Sequence, residues 1–145
     1  MNGFEITSNP TDLDLNVIHA FVSESYWAKN IPLATLKKAI SNSLVFGAYK
    51  PSGEQVGFAR VVTDKATFAY LADVFVLEEC RGLGLSKLLM QSVCAHPDLQ
   101  GLRRFMLATS DAHGLYSQFG FNQVENPEIL MQIWQPRIYD ESARV

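Results

Sequence analysis

The stretch from Glu79 to Met90, Glu-Cys-Arg-Gly-Leu-Gly-Leu-Ser-Lys-Leu-Leu-Met, narrows the folds open to this chain more than any other. The apolar run Tyr70 to Val76 before it reads as a buried strand, and Leu85, Leu88, Leu89 and Val93 after it mark one helical face. A glycine-bearing loop therefore carries the chain from a strand into a helix. The first turn of a helix has backbone N–H groups without intrahelical partners and the positive end of the helix dipole, which together suit phosphate. Gly82 and Gly84 remove Cβ atoms that would hold an anion away, and Arg81 adds a charged donor.

The rest of the chain reads as one domain, residues 1–145. Residues 3 to 7 form a short first strand. Thr11 caps a helix with Asp12 and Asp14 in its first turn, Val17, Ile18, Phe21 and Val22 on its buried face and an end near Ser25. Tyr26 and Trp27 sit in a connector that Pro32 closes, and Leu33, Leu36 and Ile40 give the second helix its buried side. Ser43 to Lys50, Gln55 to Thr63 and Thr67 to Val76 follow as an antiparallel meander, with turns at Pro51 to Glu54 and at Asp64 to Ala66. After the central helix comes a strand from Arg103 to Thr109. A short helix from Ala112 to about Phe119, capped by Asp111, ends at Gly120. Phe121 to Val124 and Ile129 to Trp134 are expected as a closing strand pair with a turn at Asn126-Pro127, and a polar tail starts at Pro136.

Composition excludes several classes. With 48% hydrophobic and 19% charged residues the chain is globular, and a net charge of −3 argues against non-specific nucleic-acid binding. Cys80 and Cys94 have no metal-ligand spacing, so no metal is expected, and a reducing, cytoplasmic setting is the simplest reading. Neither a secretory signal nor a membrane span is expected from the sequence.

Spacing separates the glycine loop from other phosphate loops. It is not the GxxxxGK of a P-loop or the GxGxxG of a dinucleotide fold. Arg81-Gly82-Leu83-Gly84-Leu85-Ser86 instead resembles the pyrophosphate loop of the GNAT superfamily of acyl-CoA-dependent N-acyltransferases, Gln/Arg-x-x-Gly-x-Gly/Ala, with Ser86 at the last small position. An ordinary helix-capping loop is the alternative for the loop alone. Leu115-Tyr116-Ser117-Gln118-Phe119-Gly120-Phe121 is similar to a second segment of that family, LY-x-x-x-GF. The family commonly has Asn seven residues before the Tyr and Ala four before it; here these are Thr109, a departure, and Ala112, a match. The resemblance spans residues 44 to 124.

The resemblance implies an α+β, three-layer α/β/α fold whose mixed, mostly antiparallel sheet splays around acetyl-CoA between the Tyr70 to Val76 and Arg103 to Thr109 strands. It implies direct acetyl transfer from acetyl-CoA to a primary amine of a small molecule or peptide, through a ternary complex. By the same resemblance Val74, Phe75 and Val76 at a bulged strand end, the loop from Arg81, Gly82, Leu83, Gly84, Leu85 and Ser86 to Lys87, and Thr109 would hold the cosubstrate. Tyr116 would protonate the departing thiolate. Tyr26 and Trp27 would wall the acceptor site or anchor a loop, and His113 would reach it.

The residues add their own constraint. An amine with a pKa of about 10.4 must lose a proton before attack, so a base or a water path is needed. Asp73 interrupts an apolar strand, which is costly unless its carboxylate is paired or faces a cleft. A two-residue turn at Lys65-Ala66 would place Arg60 on its face, so general base and structural ion pair both stand; one residue of slip would reverse this. Two further readings stay open: a non-catalytic acyl-CoA-binding or partner-interaction module, and a homodimer rather than a monomer.

Overall fold

The computed structural model describes residues 3–140. Five strands make one sheet in the order β1 (Glu5–Thr7), β2 (Leu44–Tyr49), β3 (Gln55–Thr63), β4 (Phe68–Val76), β5 (Arg104–Leu107). Neighbours are antiparallel up to β4, and β5 joins β4 in parallel. The parallel step requires a crossover, and the glycine loop with its helix supplies it.

Helices α1 (Leu15–Val22) and α2 (Leu33–Ser41) cover one face of the sheet, packing Ile18, Val22, Leu36 and Ile40 on Val45, Phe58 and Phe75. Helix α3 (Leu85–Ala95) covers the other, where Leu89, Met90 and Val93 meet Phe46, Ala59, Val61, Ala69 and Leu71. Alternation along β3 sends Phe58 to the first layer and Ala59 and Val61 to the second, which gives three α/β/α layers. Short helix α4 (His113–Ser117) adds Tyr116 to the α3 side, and the turn after it adds Phe119.

Several expectations are corrected. Helix α1 is capped not by Thr11 but by Asp14, which accepts from the amides of Asn16 and Val17, while residues 10–12 form a separate 3-10 turn. Proline at position 10 favours that turn. The helix ends at Val22 rather than near Ser25. Leu33 is exposed, so the buried side of α2 is carried by Leu36 and Ile40 alone.

The closing strands Phe121 to Val124 and Ile129 to Trp134 are absent among the described residues: Pro127–Ile129 is a 3-10 turn and the flanking backbone is unpaired. Apolar residues on either side of the Asn126-Pro127 turn supplied the strand signal, but among the described residues no neighbouring strand lies against them. The tail after Pro136 is not wholly polar in its contacts, since Tyr139 packs back against the α1/α2 layer.

Candidate active site

β4 and β5 pair at only four positions, from Phe68 with Arg104 to Leu71 with Leu107. Beyond them the strands part, and a cleft of about 760 Å³ opens between Leu71–Val76 and Leu107–Ala112. Arg81 and Ser86, on either side of the glycine pair, line it too.

The bulge in β4 shapes one wall. Phe58 pairs with Phe75 but Arg60 with Ala72, so β4 holds one more residue than β3 across that interval. Asp73 takes the irregular conformation, with φ +54°, a left-handed region that Asp tolerates better than most residues. The bulge also rescues an ion pair that the register alone would forbid. The turn before β4 is not the expected two-residue one: the Asp64 carboxylate gathers the Thr67 hydroxyl and the amides of Thr67, Ala66 and Phe68, and the loop widens. Pairing slips by one, setting Arg60 opposite Ala72. The left-handed turn at residue 73 then swings its carboxylate to the Arg60 face.

Arg60 Nε donates to Asp73 Oδ2 at 2.8 Å, and Trp27 Nε1 donates to Asp73 Oδ1 at 2.8 Å. The Asp73 side chain is 5% exposed and that of Arg60 17%. Both carboxylate oxygens are thus engaged, one by a charge and one by an indole. Trp27 stands edge-on to Tyr26, whose hydroxyl accepts from the Ser110 amide at 3.3 Å, so the connector before α2 reaches across to the β5 side.

The opposite wall carries α4. Tyr116 is half-buried, and burial first, then the charges of Asp111 and Tyr26, push its phenol above the ordinary value of 10. Thr109, not Asp111, secures the helix start: its Oγ1 accepts from the Ala112 amide at 3.0 Å, while α4 has no cap from Ala112 itself. Gly120, at φ +92°, ends the segment and Phe121 N–H returns to the Tyr116 carbonyl.

At the third side, Gly84 is the N-cap of α3 with φ +78°, and no side chain caps the helix. Its first intrahelical bond is Leu88 N–H to the Gly84 carbonyl, which leaves the earlier amides of the turn for another acceptor. Arg81 Nε donates to the Val76 carbonyl at 3.1 Å, tying the loop to the end of β4. These features fit a phosphate-bearing ligand such as CoA.

Of the expected site residues, Tyr26, Trp27, Arg60, Asp73, Val74, Phe75, Val76, Arg81, Ser86, Thr109 and Tyr116 share the cleft lining. Gly82, Leu83, Gly84, Leu85, Lys87 and His113 lie outside it. Leu85 is a core residue packed near Val56 and Val76, and His113 is exposed at the start of α4. Phe21, stacked on Phe75 at 4.2 Å, and Tyr139 line the cleft without having been expected there. An aromatic in an otherwise polar tail was the available signal for Tyr139.

Comparison with known proteins agrees with this geometry. A family model described as an acetyltransferase (GNAT) domain matches residues 41–123. A Gibberella zeae protein carrying an acetyltransferase designation is 32% identical over 135 residues, covering 78% of this chain and 75% of its own. The crystal structure of a Xanthomonas campestris protein assigned to the GNAT family is 53% identical and superposes with a TM-score of 0.93, covering 97% of this chain and 99% of that one. A Deinococcus radiodurans structure shares the fold at 20% identity, with a TM-score of 0.73 over 98% of this chain and 93% of its own. With a cleft between parting strands, a bulged β4 and a glycine-opened α3, this chain belongs to the GNAT acetyltransferase family.

Proposed function

We propose that the protein transfers an acetyl group from acetyl-CoA directly to a primary amine in a ternary complex. The observation that carries this reading is the convergence on one cleft of a half-buried Tyr116, the β4 bulge, and Arg81 and Ser86 on either side of the glycine pair that opens α3. Acetyl-CoA supplies an activated thioester. The uncapped α3 turn and Arg81 receive its phosphates, and the Val74–Val76 edge lies along its arm.

Tyr116 donates the proton that the leaving thiolate takes up. Its raised pKa keeps the phenol protonated at neutral pH, as a donor requires. Asp73 positions the acceptor wall rather than acting as base, since its nearly buried carboxylate is held between the Arg60 guanidinium and the Trp27 indole; water carries the amine proton away. Tyr26, Trp27, Phe21 and Tyr139 give the acceptor end an aromatic lining. A covalent cysteine route lacks support: Cys80 is buried, and burial raises the Cys94 thiol above its ordinary range while leaving it outside the cleft.

The test is thiol release from acetyl-CoA in the presence of a panel of aryl, alkyl and peptide amines. Amine-dependent release with acetylated product supports the reading. Tight acetyl-CoA binding without turnover on any amine would instead favour a non-catalytic acyl-CoA-binding module.

A further inference from the structure

Two aromatic side chains at the acceptor end of the cleft are exposed and yet fixed. Tyr26 is 64% exposed and Trp27 42%, and the rings meet edge to face with centroids 5.2 Å apart. Their polar tips are held by the protein itself: the Trp27 indole donates to Asp73 at 2.8 Å, and the Tyr26 hydroxyl accepts from the Ser110 amide at 3.3 Å. Behind them Phe21 lies 6.5 Å from Trp27 and stacks on the buried Phe75, so the pair stands on a packed aromatic base. Ring surface is what remains for a ligand. An aromatic whose polar end is already bonded offers apolar area and a negative π face, and these suit a flat or a cationic partner.

Charge narrows the partner further. Among the described residues four charged side chains line the cleft, Arg60, Asp73, Arg81 and Asp111. Arg60 and Asp73 cancel in their ion pair, and Arg60 Nη1 also donates to Ser43 Oγ at 3.3 Å. Arg81 stands at the α3 loop, tied to the Val76 carbonyl. Asp111 is exposed and directly follows Ser110, whose amide holds Tyr26. Its carboxylate takes a 3.4 Å contact from the Thr109 hydroxyl and pairs with no cation among the described residues. The acceptor end therefore has one uncompensated negative charge and no uncompensated positive one.

A carboxylate or phosphate on the acceptor would meet Asp111 without a counter-ion, which discriminates against it. An amine with a pKa of about 10.4 arrives protonated, is drawn toward Asp111, and gives its proton to water before attack. We propose, resting on acetyl transfer to an amine in this cleft, that the acceptor is a primary amine carried by a flat aromatic ring and bearing no anionic group, its ring against Tyr26 and Trp27 and its ammonium entering beside Asp111. Because both rings are held in place before the ligand arrives, little freedom is lost on binding, and the selectivity belongs in KM.

The test measures thiol release from acetyl-CoA with 2-phenylethylamine, n-hexylamine, phenylalanine, phenylalanine amide and a lysine-containing peptide. The kcat/KM for 2-phenylethylamine should exceed those for n-hexylamine and phenylalanine by about tenfold or more, with phenylalanine amide, which keeps the bulk and loses the charge, recovering most of the difference. Tyr26→Ala should raise KM for 2-phenylethylamine about tenfold and more than it lowers kcat, Tyr26→Phe should restore most of the loss, and acetyl-CoA affinity should hold in both. Asp111→Asn should narrow the preference over phenylalanine about threefold. Transfer that favours phenylalanine, n-hexylamine or the peptide overturns the proposal and leaves the acetyltransferase reading standing. So does an unchanged KM in Tyr26→Ala, or an unchanged preference in Asp111→Asn. If no amine is acetylated, quenching of indole fluorescence in the CoA-loaded protein decides. Saturable binding of 2-phenylethylamine but not of phenylalanine, lost in Tyr26→Ala, keeps the ligand class and removes the reaction; no binding removes both.

Discussion

At residue 116 a single oxygen separates packing from chemistry. Tyr116→Phe keeps the ring against Phe121 and removes only the donor, so acetyl-CoA affinity should hold while turnover falls about tenfold or more. Stopped-flow thiol release, with binding measured by calorimetry, makes the comparison; equal turnover would leave Tyr116 a packing role. The raised phenol pKa adds a pH signature. Donation should persist to above pH 10 in the wild type and fail only beyond, a limb that the Phe variant lacks. The Arg60–Asp73 pair behaves differently, because removing one partner strands a buried charge. Arg60→Met should cost about 3–5 kcal/mol in denaturant unfolding. Asp73→Asn keeps the left-handed backbone and an acceptor for Trp27, so if Asp73 only positions, turnover falls less than tenfold; a loss of ~10²–10⁴ would make it the base.

Elements differ in how much of their placement the sequence carries. The strand, glycine loop and helix around Arg81 were legible because spacing and periodicity agree there, and Gly84 at φ +78° bears out the need for glycine. Gly84→Val should therefore raise the acetyl-CoA dissociation constant at least tenfold, about 1.4 kcal/mol, measured by calorimetry. The face of Asp73 was legible only by an accident of two compensating shifts, since neither the Asp64-centred loop nor the bulge has a period-two signature. That loop has its own pH dependence. The Thr67 hydroxyl, then the Thr67, Ala66 and Phe68 amides, hold the exposed Asp64 carboxyl well below its usual range. Its folded pKa is depressed, so its stabilisation is complete above the ordinary value near 4 and fades as pH falls toward the folded one. Asp64→Ala should lower the melting temperature at pH 7, and the gap to wild type should narrow between pH 5 and pH 2. The closing strands were misread for a reason of the same kind: an apolar run beside a turn reports a strand's preference, not the presence of a neighbour for it.

For the whole molecule, the cleft is where two halves of the fold meet, and a ligand there should report on both. If acetyl-CoA binds only the folded chain, a concentration of 100 times its dissociation constant adds about 2.7 kcal/mol to stability, readable as a rise in melting temperature. The same architecture orders events in time. β2, β3 and β4 pair through short local turns, whereas β5 reaches β4 only after the chain from Val76 to Arg104, α3 included, has closed on itself. Non-local parallel pairing forms late, after its loop-closure cost. The meander should then constitute the folding nucleus, with β5 docking behind the rate-limiting barrier. A ligand held between β4 and β5 would act on a contact absent from the transition state. Acetyl-CoA should accordingly slow unfolding and leave the refolding rate unchanged, so that the parting of two strands governs how long the native protein lasts rather than how quickly it forms.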